Sequence, residues 1–225
     1  MTEQEALLAL NAIPAMSNGR IARLRGHCGS AVKVLQASYD DLLGSGLIPP
    51  AVVENIIHFS KDKFLANEYN LMRQRGVGFL TIDDALYPEP LRQIADAPVI
   101  IYTKGQWGDH WGSLAVAMVG ARRASSYGLK VAEQMAFDLA QAGLVIVSGL
   151  AFGIDKAAHQ GALKARGITV AVLGTGLYHP YPREHSAIFS QIIEQLPSDH
   201  LGQLLIKPRE NGLNRGRADR YKCPA

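Results

Sequence analysis

The fold is decided by residues 114–176, which read LAVAMVGARRASSYGLKVAEQMAFDLAQAGLVIVSGLAFGIDKAAHQGALKARGITVAVLGTG. This stretch contains three apolar runs, each with the length and composition of a strand that is buried on both faces of a parallel sheet. The runs are residues 114–119, 144–147 and 168–173. We therefore expect three parallel strands.

The two segments between these runs have apolar residues at helical spacing. Residues 127–142 stop at Gly143, and their expected buried face consists of Val131, Met135, Leu139 and Ala142. Residues 154–166 form the second predicted helix. This alternation predicts an α/β fold, a partial doubly wound (Rossmann-like) parallel sheet with right-handed crossovers.

Each apolar run ends in a turn that contains glycine. The turns are residues 120–128, 148–155 and 174–176. In open α/β sheets, ligands bind beyond the carboxyl ends of the strands, where helix N-termini present unpaired N–H groups to anions. The three turns are therefore expected to share one phosphate-binding rim.

The side chains of the first turn favour an anionic ligand. Arg122 and Arg123 lie beside a predicted helix N-terminus, where guanidinium groups suit a phosphate or a phosphodiester backbone. A structural salt bridge is the alternative for Arg122. Ser125 and Ser126 either cap the following helix or hydrogen-bond a phosphate, and we expect at least one of them to be a cap.

The second turn carries four residues of interest. Phe152 either stacks on a base or anchors its own loop. Asp155 is expected to cap the second helix, and Lys156 either reaches the rim or is simply solvated. His159 has no cysteine or histidine at metal-ligand spacing, so we expect it to be structural or to line the rim.

Several classes of function find no support in the sequence. A Gly-x-Gly-x-x-Gly fingerprint is absent, which argues against NAD, and no nucleophile elbow or paired carboxylates follow a strand. We expect a binding protein that is not an enzyme and needs no cofactor or metal. Cys28 and Cys223 are expected to be free thiols rather than a disulfide or a zinc pair.

Charge and hydropathy bear on partners and location. Residues 207–225 hold six basic and two acidic residues, so they carry +4, and residues 1–206 carry −1 of the net charge of +3. Any nucleic-acid contact must therefore rest on local basic groups rather than on overall charge. No apolar stretch is long enough for a membrane span and the start lacks a signal peptide's basic residues, so a cytoplasmic protein without membrane contact is expected.

The chain divides into four predicted parts. Residues 1–75 contain short helices and glycine turns typical of a small all-helical SAM-like or helix-hairpin-helix module, for which packing or protein contact is favoured over DNA contact. Residues 76–113 form a connecting strand-turn-strand extension and loop. Residues 114–195 form an incomplete Rossmann-like domain that carries the glycine rim, and residues 196–225 a basic tail.

Several motifs in order resemble the DprA (Smf) family of DNA-processing proteins, from about Leu7 to about Gln195. They are Tyr87-Pro-Glu-Pro-Leu91, Pro98-Val-Ile-Ile-Tyr102 to Gly105, Val119 to Gly128, Ser148 to His159, Gly161-Ala-Leu163, Ala171 to Gly176 and Tyr181-Pro182. The resemblance implies a SAM-like module followed by an extended Rossmann domain. The family's later motifs are not found after Gln195, so we expect the remaining sequence to be unrelated to the family, as after a truncation or frameshift.

The resemblance also implies a function. The family binds single-stranded DNA without sequence preference and loads the recombinase RecA onto incoming strands in natural transformation, and a homodimer is a further expectation. Its DNA pocket carries over to the glycine rim, although the family often has a basic residue at the place of Phe152. With the residues singled out above, the expected DNA-binding set is Arg122, Arg123, Ser125, Ser126, Tyr127, Gly128, Ser148, Gly149, Phe152, Lys156, Gly174, Thr175 and Gly176.

Two alternatives stay open. One is a Rossmann-like nucleotide hydrolase of the lysine decarboxylase-like type, which would need a Pro-Gly-Gly-x-Gly-Thr turn with a nearby glutamate. Gly174-Thr-Gly176 lacks that acid. The other is a non-functional, truncated relic that binds nothing.

Overall fold

A computed structural model describes residues 1–105, 114–174, 177, 182–194 and 203–206. Two compact units can be distinguished. The described part of the first unit is residues 1–75 and 79–101, and that of the second is residues 76–78, 102–105 and everything described from Leu114 onward. The four-part division expected from the sequence stays a prediction.

The first unit consists mainly of short helices. They are α1 (Glu3–Ala12), α2 (Asn18–Cys28), α3 (Ala31–Gln36), α4 (Tyr39–Gly44), α5 (Pro50–Ile57), α6 (Lys61–Arg75) and α7 (Glu89–Arg92). Side-chain caps start four of them, because the hydroxyls of Thr2, Ser17, Ser30 and Ser38 each accept a backbone N–H. α4 starts directly after Ser38, and α5 has Pro50 at its first position, where a proline is well tolerated.

The core of the first unit surrounds α1. Leu7, Leu8 and Leu10 are fully buried because α1 packs against α2, α3 and α6. Arg25 ties the helices to the segment after α6: its guanidinium lies 3.2 Å from Glu3 and 2.7 Å from Asp83. A helix that is buried on most sides is stabilised by such packing more than by the intrinsic helix propensity of its residues.

Tyr87, the start of the Tyr-Pro-Glu-Pro motif, has a structural role. Its hydroxyl donates to the Pro98 carbonyl at 2.7 Å, and the Arg92 guanidinium lies 5.6 Å from the centre of its ring. Burial raises the pKa of Tyr87 to about 12, although Arg92 acts in the opposite direction. The phenol therefore stays a neutral hydrogen-bond donor.

The strands form one mixed sheet. They are β1 (Val77–Thr81), β2 (Ile100–Gly105), β3 (Ala115–Ala117), β4 (Val145–Ser148), β5 (Thr169–Leu173) and β6 (Gln203–Ile206), in the spatial order β1-β2-β6-β5-β4-β3. β3, β4, β5 and β6 are parallel, and β2 pairs antiparallel with β6. The parallel sheet expected from the sequence is confirmed, and β6 adds a fourth parallel strand to the three predicted.

Three helices and one turn of 3₁₀ helix belong to the second unit. The helices are α8 (Ser126–Gln141), α9 (Ile154–Lys164) and α10 (Ser186–Glu194), with the 3₁₀ turn at Arg183–His185. α8 and α9 pack closely over β4 through small side chains. This cluster consists of Ala136, Ala140, Ile146, Ala158 and Ala162.

Two burial predictions in this unit are wrong. The run 114–119 was expected to be buried on both faces, but Leu114 is 79% exposed and Val119 74% exposed, because β3 is the end strand of the sheet. α8 does not bury the face of Val131, Met135 and Ala142. It buries Ala132, Ala136 and Ala140 instead, since only small side chains allow the close approach of α9.

Candidate functional site

An open groove of about 610 Å³ lies in the second unit, where the loops after β3 and β4 come together. One wall is formed by Arg122, Arg123, Ala124, Leu129 and Glu133. The other wall is formed by Phe152, Gly153, Lys156, Ala157 and Gln160, and the lining is completed by Glu184 and His185. We call it the α8/α9 groove, and its volume is typical of a site for a small molecule or for part of a polymer.

The two loops touch backbone to backbone. Gly153 has φ +80°, and a Cβ atom there would lie 2.1 Å from the Ala121 carbonyl oxygen and 2.7 Å from that of Arg122. The Ile154 N–H donates to the same Ala121 carbonyl at 3.3 Å. Gly153 is thus required for the close approach of one loop to the other.

The groove has an unpaired positive charge at the start of both helices. Within the described residues, Arg122, Arg123 and Lys156 form no ion pair. α8 is capped by Ser125, whose hydroxyl accepts the Gly128 N–H at 3.1 Å, whereas Gly153 gives α9 no side-chain cap. Uncapped N–H groups beside free guanidinium and ammonium groups form a site for anions such as phosphate.

Phe152 is held in place beside these cations. Its ring meets the His185 imidazole edge to face, with centroids 4.8 Å apart and planes at 68°, while 38% of the residue stays exposed. His185 is itself fixed, because its Nδ1 donates to the Leu150 carbonyl at 2.9 Å. A partly exposed aromatic ring in a fixed position is a platform on which a base can stack.

His159 supports the groove from the interior. The Thr169 hydroxyl donates to the Ile146 carbonyl at 2.9 Å, so its oxygen accepts from His159 Nδ1 at 2.7 Å. The other ring nitrogen, Nε2, is buried without a partner among the described residues. Burial, with a smaller effect of His185, lowers the pKa of His159 to about 3, so the ring is neutral and structural, as one of the two sequence readings held.

The predicted cap Asp155 is wrong. α9 begins after Gly153, and Asp155 turns back to the preceding loop, where its Oδ2 accepts the Gly149 N–H at 3.2 Å. This hydrogen bond fixes the loop that carries Phe152. The N-cap of α9 is Gly153, which has a positive φ and no side chain that could accept a hydrogen bond. The usual pattern of a capping aspartate therefore does not apply here.

The structure brings together only part of the predicted site. Arg122, Arg123, Phe152 and Lys156 line the α8/α9 groove. Ser148 is buried and its hydroxyl donates a hydrogen bond to the Met118 carbonyl at 2.6 Å. The Gly149 N–H donates a hydrogen bond to Asp155. Both residues therefore have structural roles. The predicted residues outside the groove lining are Ser125, Ser126, Tyr127, Gly128, Ser148, Gly149 and Gly174, and Thr175 and Gly176 lie outside the described residues.

Eight groove residues were missed by the sequence interpretation. They are Ala124, Leu129, Glu133, Gly153, Ala157, Gln160, Glu184 and His185. Leu129 and Glu133 face the groove only because α8 buries its alanine face, which the periodicity did not identify. Glu184 lies two residues after the Tyr181-Pro182 motif, and this proximity was the one available signal for it.

Among the described residues, no helix combines the length and the apolar character needed to cross a membrane. The same part of the chain contains no group of three or more His, Cys, Asp or Glu side chains placed to hold a metal ion.

The fold and the site define a Rossmann-like protein with a groove at the starts of two helices, where the free cations suit an anion. The family model of DNA recombination-mediator protein A matches residues 78–201. This match covers more than half of the chain, and the chain belongs to that family.

Relatives agree with this assignment. DNA processing protein DprA of Streptococcus pneumoniae is 40% identical over 157 residues, which are 70% of this chain and 52% of the relative. DNA processing protein DprA of Bacillus subtilis is 33% identical over 129 residues, which are 57% of this chain and 42% of the relative. The chain thus spans about half the length of these relatives.

A solved structure of a relative has the same fold. The X-ray structure of DNA processing protein A from Streptococcus pneumoniae matches with a TM-score of 0.71 and 32% identity, over 92% of this chain and 68% of that one. A structure of DNA processing protein A from Helicobacter pylori, concerned with its single-stranded DNA binding mode, matches with a TM-score of 0.49 and 26% identity over 60% of this chain and 57% of that one.

Proposed function

We propose that this protein binds single-stranded DNA in the α8/α9 groove. The observation that carries the proposal is the combination, in one groove, of three unpaired cations with a fixed, partly exposed aromatic ring. Cations and uncapped helix N–H groups suit the phosphates of a DNA strand. The Phe152 ring suits a base that is not stacked on the neighbouring bases. In a duplex the base faces are stacked, so a groove of this kind favours the single strand.

The proposed role is in DNA uptake by natural transformation. The protein would cover incoming strands in the cytoplasm and load the RecA recombinase onto them, and a homodimer is part of the proposal. The family's description as a recombination mediator and the relatives' names as DNA-processing proteins support this role.

The groove favours binding over catalysis. Its described lining contains no serine, threonine or cysteine beside a general base, and one of its two carboxylates, Glu133, is paired with Lys164. A nucleophilic hydrolase needs an activated nucleophile within hydrogen-bond reach of its base. We therefore propose a protein that is not an enzyme.

The test is fluorescence anisotropy of the full chain with a labelled single strand of mixed sequence, at low and moderate salt. The same sequence as a duplex is the competitor. A variant with Arg215, Arg217 and Arg220 changed to glutamine separates the groove from attraction to the basic residues of 207–225. We expect tighter binding of the single strand by both proteins. Binding that disappears in the glutamine variant, or no binding at all, would refute the proposal.

Replacing Arg122 with alanine is expected to weaken binding of every sequence by a similar factor. A phosphate contact releases about one counterion, so the slope of log K against log salt should become shallower by about 0.7 for a single strand. Arg73→Ala, on the exposed last turn of α6, is the matched control and should leave affinity and slope unchanged. An Arg122→Ala protein with the original slope would remove Arg122 from the phosphate contacts.

A further inference from the structure

We propose that His185 is a positioning residue for the Phe152 ring, so that the α8/α9 groove holds the bases of a bound strand as well as its phosphates. This inference rests on the proposed binding of single-stranded DNA and adds to it the residue on which base stacking depends. Stacking on an aromatic ring tolerates every base, so the inference implies no preference for a sequence.

The loop between β4 and α9 has an unfavourable backbone conformation. Leu150 has φ +57°, in the left-handed region that residues other than glycine rarely adopt. Gly153, at the end of the same loop, has φ +80°. A leucine keeps such a conformation only where surrounding contacts enforce it, and backbone strain of this kind is common at binding sites. The loop that carries Phe152 therefore needs contacts that hold it in place.

His185 contacts this loop at two points. Its Nδ1 donates to the Leu150 carbonyl at 2.9 Å, and its ring meets the Phe152 ring with centroids 4.8 Å apart. Leu150 and Phe152 are separated only by Ala151, so one side chain holds both ends of this short segment. The hydrogen bond acts on the strained residue itself, and the ring contact acts on the residue that lines the groove.

His185 is held more firmly than the ring that it contacts. It is 1% exposed, its backbone N–H donates to the Pro182 carbonyl at 3.0 Å, and it ends the 3₁₀ turn that directly precedes α10. Phe152, in contrast, is 38% exposed and belongs to the strained loop. The imidazole therefore sets the position of the Phe152 ring rather than the reverse.

Loss of the hydrogen bond from His185 would change the loop and leave the phosphate contacts in place. Leu150 is fully buried, and a buried carbonyl without a hydrogen-bond partner is unfavourable. The loop would turn this carbonyl toward water and leave the left-handed conformation, which moves the Phe152 ring. Arg122 and Arg123 precede α8 in the other loop, so their positions do not depend on this hydrogen bond.

The test separates base stacking from phosphate contacts. Oligo-dT is compared by anisotropy with an abasic strand of the same length, which has the same phosphates and no bases. We expect the unmodified protein to bind oligo-dT at least about fivefold more tightly, which is the low end for one base stacked on an aromatic ring. Phe152→Leu should bring this ratio of affinities close to one. The slope of log K against log salt should not change, because it reports the phosphate contacts.

Two substitutions of His185 distinguish positioning from a general structural role. Asparagine has a side-chain N–H at the place of Nδ1, whereas glutamine has one at the place of Nε2. His185→Asn should therefore keep the hydrogen bond to the Leu150 carbonyl and most of the preference for oligo-dT. His185→Gln should lower the ratio of affinities toward that of Phe152→Leu, with an unchanged salt slope.

Ile188→Val is the matched control for stability, because it shortens a buried side chain of α10 that does not line the groove. It should leave the ratio unchanged. A ratio that His185→Gln preserves, an equal loss in His185→Asn, or a salt slope that falls together with the ratio would overturn the role of His185. Equal affinities of the unmodified protein for the two strands would overturn the inference while single-strand binding stands. Failure to bind oligo-dT at all would refute the proposed function itself.

Discussion

Replacing Gly161 with alanine is expected to lower the free energy of unfolding of the second unit by about 3 kcal/mol, because the new methyl group would collide with α8. A Cβ atom at this position would lie 2.1 Å from the Glu133 carbonyl oxygen and 2.9 Å from the Ala136 Cβ. The oxygen belongs to a helix backbone and cannot swing aside. α8 and α9 would have to separate, which opens the alanine cluster between them.

The matched control is Gly128→Ala in the first turn of α8. There the nearest heavy atom to a Cβ is the Ser125 hydroxyl at 3.4 Å, an ordinary contact, and φ is not positive. Alanine is favoured over glycine in a helix by up to about 1 kcal/mol, so this variant should be unchanged or slightly more stable. Urea unfolding followed by circular dichroism compares the two variants. Equal stabilities would mean that α8 and α9 are not in the close contact described.

Acidification is expected to destabilise the second unit through His159. In the folded protein the pKa of His159 is lowered to about 3 by burial, whereas in the unfolded chain it returns to about 6.5. Between these values the unfolded state binds a proton that the folded state does not. The stabilising contribution is complete above about pH 6.5 and is lost as the pH falls, by up to about 1.4 kcal/mol per pH unit.

The measurement is the urea unfolding free energy at several pH values from about 7 to about 4. His159→Asn keeps a side-chain N–H near the Thr169 hydroxyl but does not titrate, so it should be less stable at pH 7 and show a shallower pH dependence. His58→Asn, which changes a histidine whose side chain is 77% exposed, serves as the control for replacing a histidine elsewhere in the chain. Parallel pH profiles for His159→Asn and the unmodified protein would show that His159 is not the group responsible.

Much of the fold could be predicted from local sequence patterns. The short helices expected in residues 1–75 are α1 to α6, and α6 ends at Arg75, directly before Gly76. β4 and β5 are buried apolar runs bounded by turns, and their order follows from the crossover rule. These features depend on residues that are close together in the sequence, so the sequence alone indicates them.

The errors concern contacts between distant segments. The periodicity of α8 allows two adjacent faces, one with Val131 and Met135 and one with Ala132 and Ala136. Hydrophobicity favours the first face, but the close contact with Gly161 of α9 requires the second. The same contact decides which α8 residues line the groove, so Glu133 was missed while Arg122, in the turn itself, was found.

The open side of β3 has a consequence for handling the protein. A terminal strand offers a row of unpaired N–H and C=O groups to any other extended chain, and proteins usually block such a row with lysine, proline or a bulge. Residues 114–119 contain no charged residue and no proline, and both Leu114 and Val119 are exposed. We therefore expect intermolecular strand pairing to limit the concentration at which the protein stays dispersed. Ala117→Lys, at an exposed position of β3, should raise that limit.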